Sequence, residues 1–264
     1  MSEGYKEQHI VSVFYLKYFS HKKNEKDYVW VYNKNDYSVN ECLVKDTCKS
    51  KNLYTIPPNS DSLKNKKYIE TDILGKIETE TSPCLNELIT NIKNGIITPQ
   101  VNKSIISKYM AYQILRTPEA ADYFSGDINM KGKDKMYFDY RIIFENKELI
   151  NNLTSDIENM KWNFFYDRYN RFFTSNFPVI MTPEKWVYNA NFIGVQEGKG
   201  QGYSFPLSPD ILLVAKKNDS SLADLEVALP SKEDIVFYNL IRCFYANKHI
   251  ISFLENFANF GKII

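Results

Sequence analysis

The chain has 264 residues, with 33 Lys and Arg against 32 Asp and Glu, 44% hydrophobic and 15% aromatic residues. That length suits one large domain or two small ones, the apolar content is ample for a core, and 19 Tyr and 17 Phe make aromatic packing its main ingredient. A formal net charge of +1 lacks the basic footprint of a duplex-DNA binder. Four cysteines (Cys42, Cys48, Cys84, Cys243) without CxxC spacing or paired histidines argue against a zinc site and read as reduced thiols. No charged start leads into an apolar run, and no apolar run approaches ~18 residues, so neither a signal peptide nor a membrane span is expected, and the protein is expected to be cytoplasmic.

In chain order, Gln8 to Val11 reads as extended chain entering a short helix from Ser12 to Phe19, where Val13 and Leu16, then Tyr15 and Phe19, fall at helical spacing. His9 then sits just before a helix amino terminus, whose positive potential favours a neutral imidazole. Such a group can act as a general base or a metal ligand, or it can tie the amino terminus to the core through a backbone or carboxylate hydrogen bond. His21 to Asp27 is a charged loop; Tyr28 to Tyr32 is a strand, and after the turn Asn33–Asp36 a second strand returns from Tyr37. Cys48 to Asn65, with Pro57-Pro58, is irregular. From Tyr68 to Asn94 the pattern is helical and ends at Gly95, with a break or kink expected near Ser82 because of Pro83. Glu70 and Glu78 lie about 80° apart on that helix, able to hold a divalent cation or shuttle protons, or simply to face solvent.

Thr98-Pro99 opens the next helix, to Leu115, and Ile105, Tyr109, Tyr112 and Arg116 repeat at helical spacing, so Arg116 ends an aromatic stripe. Thr117-Pro118-Glu119 then combines an N-cap, a proline at the first helical position and an acid in the first turn. An arginine held at such a joint must find an anion, either an internal carboxylate such as Glu70 or Glu78 or a bound phosphate. Phe124 to Lys135 is a loop, and Met136 to Met160 carries one or two helices. Trp162–Tyr166 and Arg171–Ser175 read as strands around the turn Asp167–Asn170, with Thr174, Ser175 and Asn176 at a strand end. Thr182-Pro183-Glu184 reads as a helix start and Trp186–Val195 as strand, followed by a glycine-loosened loop at Gly194 to Gly202 that lacks the order of a phosphate-binding loop. Ser208-Pro209-Asp210 turns into a core strand, Ile211–Ala215. Ser231 starts a final helix whose apolar pattern extends through Ile250-Ile251, with Asn239 and Asn247 placed to reach a central polar cluster. The tail through Phe260 is amphipathic and can dock on the domain or a second subunit.

The expected fold is α+β: one domain over residues 1–264, with an N-terminal β-hairpin, a central helical bundle, and a C-terminal mixed or antiparallel sheet closed by a long helix. The order of Gln8-His9 with Tyr15-Leu16, the double-glutamate helix, Gln113 with Arg116-Thr117-Pro118, Thr174-Ser175-x-x-Pro178, and Pro206-Leu207-Ser208-Pro209 resembles the bacterial domain-of-unknown-function family four-two-three-eight. That family opens on QHxxPxxYL and carries TSDxP; here Ser12 replaces its proline and Asn176 its aspartate. The resemblance implies a setting in anti-phage defence and the role of a toxic effector. Two functions follow. One is a nuclease or nucleotide-cleaving hydrolase in which His9 is the base, Gln8 positions, Arg116 clamps phosphate, Glu70 and Glu78 hold a divalent cation, and Tyr15, Thr174, Ser175, Asn176 and Ser208 contact substrate. The other is a non-enzymatic sensor or regulator that binds a phage protein or a small signal. The catalytic reading requires Gln8, His9, Glu70, Glu78 and Arg116 to converge on an open pocket, and expects substitution of His9 or Arg116 to leave stability nearly unchanged.

Overall fold

The computed structural model describes residues 7–51, 53–54, 67–125, 140–182, 186–189, 192–195, 202–217 and 223–255. Pro57-Pro58, the stretch Gly126–Lys135, Pro183-Glu184, Gly198, Gly200 and the tail through Phe260 lie outside the described residues. The elements in order are β1 (Glu7–His9), α1 (Val13–Leu16), β2 (His21–Lys23), β3 (Lys26–Asn33), β4 (Val39–Leu43), β5 (Lys49–Lys51), a π-helical stretch (Ile69–Leu74), α2 (Gly75–Lys93), α3 (Lys103–Leu115), α4 (Pro118–Ser125), α5 (Arg141–Phe144), α6 (Lys147–Glu158), β6 (Lys161–Tyr166), β7 (Thr174–Ser175), β8 (Ile180–Thr182), β9 (Trp186–Asn189), β10 (Phe192–Val195), β11 (Gly202–Ser208), β12 (Ile211–Lys216), β13 (Glu226–Ala228), α7 (Lys232–Tyr245) and β14 (His249–Ser252). This is the α+β class, with the hairpin β3–β4 near the amino terminus and helices at the centre.

The central sheet has the order β13-β6-β12-β11-β8, antiparallel except for the parallel pair β13–β6. Its middle strand is apolar without interruption because both of its faces are covered. Ile211, Leu213 and Ala215 point into the large core with the helices, while the alternate Leu212 and Val214 pack with Ile235, Tyr238 and Ile241 of α7. The same alternation runs through β11, where Tyr203, Phe205 and Leu207 join the large core. Gly202 is required at the start of β11: a Cβ there would meet the Ala215 carbonyl oxygen at 2.2 Å.

The second sheet, β2-β3-β14-β7 with β4 on the other edge of β3, joins the two ends of the chain. Two expectations change here. The apolar run at Ile250-Ile251 is not the end of the last helix: α7 stops at Tyr245, and β14 inserts between β3 and β7. The strands around Asp167–Asn170 are not a hairpin either, since β6 lies in the central sheet and only Thr174-Ser175 is strand, paired with β14. Asp167 redirects the chain by accepting from the Arg171 backbone N–H and gripping its guanidinium with both oxygens at 2.9 and 2.8 Å.

The helices differ from expectation in their ends. α2 runs through Pro83 without dividing, because Ile77, Thr81, Leu85, Leu88, Ile89 and Ile92 all bury along it; the departure from α geometry comes earlier, in the π-helical stretch. It ends at Asn94, and Gly95 takes the left-handed φ of 83° that follows a helix. α3 begins at Lys103, with Asn102 rather than Thr98 as its cap, its side chain accepting from the Ile105 N–H. α4 begins at Pro118, and Thr117 Oγ1 accepts from the Ala120 N–H. Thr182 closes strand β8, opposite Gly202, and does not start a helix. Ser231 and Asp234 form a reciprocal capping box on α7.

Candidate functional site

Arg116, the C-cap of α3, lies where the amino-terminal segment crosses α2 and α3, with 3% of its surface exposed. Its Nη1 donates to Glu78 Oε1 and to Ser12 Oγ, both at 2.9 Å, and its Nη2 donates to the His9 carbonyl at 2.7 Å. Nε donates to the Tyr54 hydroxyl at 3.3 Å, and that hydroxyl donates back to the Arg116 carbonyl at 2.9 Å. Ser12 donates to Glu78 Oε1 at 2.7 Å and accepts from Gln113 Nε2 at 3.2 Å. Burial works against the guanidinium charge, but Tyr54 and Glu78 outweigh it and hold the group above its ordinary value. The anion that Arg116 requires is therefore internal, and it is Glu78.

Gln8 is sealed as well. Its Oε1 accepts from the Tyr54 N–H at 2.7 Å, and its Nε2 reaches Glu70 Oε2 at a long 3.4 Å. His9 is half-buried, and its Nε2 stands 3.0 Å from the Lys45 carbonyl. A carbonyl only accepts, so Nε2 carries the hydrogen and Nδ1 keeps a lone pair. Burial lowers the His9 pKa, with Lys49 and Arg116 adding to the effect. The lowered value favours the neutral imidazole, with burial as its main cause; α1, four residues long, is not needed for it.

The structure therefore brings Gln8, His9, Glu70, Glu78 and Arg116 together, but as a closed network. Gln8, Ser12, Gln113 and Arg116 are buried, and only His9, Glu70 and Glu78 retain solvent contact. The Tyr109 hydroxyl lies beside Ser12 without a hydrogen bond of good geometry, and Gln113 Oε1 has no partner among the described residues, so two buried polar atoms are unspent. Glu70 and Glu78 are engaged with Gln8 and with Arg116 and Ser12. Among the described residues, no three His, Cys, Asp or Glu side chains gather closely enough to hold a metal ion.

The remaining candidates lie apart from this network. The Tyr15 hydroxyl bonds Thr174 Oγ1 and the Pro206 carbonyl, each at 2.7 Å. Ser175 Oγ donates to the Phe177 carbonyl and accepts from its N–H. Asn176 Oδ1 accepts from the N–H groups of Lys248 and His249 at 3.3 and 3.0 Å, joining β7 to the start of β14. Ser208 Oγ donates to Asp210 Oδ1 at 2.5 Å, and Asp210 pairs with Lys93. All five are buried. Asn239 accepts from the Phe173 N–H and donates to the Arg171 carbonyl, and Asn247 reaches Glu119, so neither enters the central network. A carboxylate offers the same two lone pairs as Asn176 Oδ1. Asn176→Asp is accordingly expected to keep both bonds and to melt no lower than the parent chain; a fall of more than about 4 °C, roughly 1–2 kcal/mol at this size, would show that the amide is required.

One residue of consequence is not marked by any motif. Arg242 on α7 is 1% exposed, and among the described residues its guanidinium donates to the Pro178 carbonyl at 2.7 Å, the Phe177 and Ser204 carbonyls, and Ser204 Oγ at 3.3 Å. No carboxylate among the described residues pairs with it, and burial pushes its pKa down to about 10. The signal for it is the one that marks Arg116: with Ile235 and Tyr238 it stands at helical spacing on the buried stripe.

Comparison with known proteins gives one family match. The model of the family described as Protein of unknown function (DUF4238) matches residues 7–253, nearly the whole chain. No curated protein and no solved structure matches the chain.

Proposed function

The chain belongs to that family, and we propose that it is an anti-phage defence effector which hydrolyses a nucleotide or nucleic acid, with His9 as general base. The observation that carries the reading is the imidazole itself. Burial favours its neutral form, its Nε2 stands 3.0 Å from the Lys45 carbonyl, and it lies with Glu70 and Glu78 at the solvent-touching edge of an otherwise sealed network. Arg116 and Gln8 then act as positioning residues: Arg116 holds the His9 backbone through its carbonyl and is not available to clamp a phosphate. The unspent Tyr109 hydroxyl and Gln113 Oε1 add polar capacity beside Ser12.

The test is induction of the parent chain and of His9→Ala in cells, followed by inspection of RNA, DNA and nucleotide pools. The parent chain is expected to deplete one of these and His9→Ala to leave it intact, with the melting temperature within a few degrees of the parent. Intact pools with the parent chain would end the reading. A base works unprotonated, so activity is expected to fall as pH drops through the His9 value, which lies below 6.5. An acid limb centred above 6.5 would assign the base elsewhere.

A second reading, a non-enzymatic sensor or regulator, is favoured by the closure of the network around Arg116. It predicts that His9→Ala retains protection against phage while nothing is cleaved.

A further inference from the structure

α2 has a second polar face. Lys76 and Glu80 lie two residues on either side of Glu78, about 160° around the helix from it. There, with the π-helical stretch, α3, and the corner between α5 and α6, they line a cleft of about 510 Å³, in the size range of small-ligand sites. Its floor includes Tyr112 and Phe144, two buried rings with centroids 5.6 Å apart, and Tyr68 stands at its edge. Three lysines from three helices line it: Lys76 of α2, Lys108 of α3 and Lys147 of α6. None of their side chains makes an ion pair or a hydrogen bond with a described residue, although three carboxylates, Asp72, Glu80 and Glu145, line the same cleft. Asp72 and Glu80 each stand four residues from Lys76, the spacing at which helical charges pair, so the ammonium is left unspent beside two carboxylates. A π-helical stretch in the wall is a further departure of the kind found at functional sites.

We infer that this cleft is a binding site for a nucleoside phosphate, separate from the His9 network. The aromatic floor suits a planar base, the three ammonium groups suit the phosphates as point charges, and Asp72 and Glu80 are acceptors for exocyclic amine or ribose hydroxyl hydrogens. Neither a purely anionic nor a purely apolar ligand uses all three features.

Titration calorimetry on the full chain with ATP, adenosine and inorganic phosphate tests this. ATP is expected to bind, and adenosine and phosphate to bind at least about tenfold more weakly, since each satisfies only one half of the site. Replacing Lys76, Lys108 and Lys147 together by Gln should weaken ATP at least about tenfold with an unchanged melting temperature; Lys108→Gln alone, a single change on a half-exposed side chain, should weaken it several-fold. No saturation by ATP below about 1 mM, phosphate binding as tight as ATP, or unchanged affinity in both lysine variants would overturn the assignment. His9→Ala is expected to retain ATP binding, so failure of the hydrolase reading and failure of this one are separable.

Discussion

Arg116→Ala is expected to destabilise the chain by about 3–5 kcal/mol, a fall in melting temperature of roughly 6–20 °C. The guanidinium joins four segments: β1 through the His9 carbonyl, Ser12 before α1, α2 through Glu78, and Tyr54. Removing it strands the His9 carbonyl and leaves Ser12 and Glu78 without their cation. Glu78 keeps 29% of its side chain in solvent, so its charge can be rehydrated, which places the loss toward the lower end. Arg116→Lys keeps the charge but cannot reach Tyr54, Ser12, Glu78 and His9 at once, and should recover only part of the loss. A drop of under about 1 kcal/mol for Arg116→Ala would mean that the arginine is spare and free for a ligand. The sequence-based expectation that Arg116 could be removed at little structural cost is replaced by this one.

The second large effect concerns Arg242. Arg242→Ala should cost about 4 kcal/mol, from a cavity in the core and from the Pro178 carbonyl, which loses its short bond to the guanidinium, while the Phe177 carbonyl keeps its bond from Ser175 Oγ. Arg242→Met fills most of the volume and removes a cation that has no carboxylate to strand, so it should cost about half as much. Urea unfolding of the two variants measures both values. Equal losses would show that the hydrogen bonds account for the whole effect, and the shape of the side chain for none.

Arg116 and Arg242 also show what could be read from the sequence. A charge on an apolar helical stripe must be buried and compensated, and that rule located Arg116 and offered Glu70 or Glu78 as its partner, of which the structure takes Glu78. Applied to Ile235, Tyr238 and Arg242 it marks a buried arginine too, but the partners, three carbonyls from distant segments, carry no sequence signature. Strong local chemistry was legible: the Ser231 start of α7, the joint at Thr117-Pro118, the core strand from Ile211 to Ala215 and the stop at Gly95. Competition between local and tertiary forces was not. Pro83 sits inside α2 because packing on both sides of it holds the helix, and Ile250-Ile251 continues an apolar pattern too short to separate helix from strand. For the site, spacing placed residues on faces but could not show that the faces close over one another. The catalytic reading required Gln8 and Arg116 to face an open pocket, whereas they lie sealed beneath His9, Glu70 and Glu78.

The placement of β14 has a consequence for biosynthesis. This strand lies between β3 and β7, both earlier in the chain: β3 can pair at once with β2 and β4, but its edge toward β14, and β7, stay unmatched until residues 249–252 have been synthesised. Pairings of such long sequence separation form slowly. A nascent chain therefore carries two incomplete strand edges until β14 has emerged, and a copy cut short before His249 would be left with sticky, unmatched edges of the kind that promote aggregation.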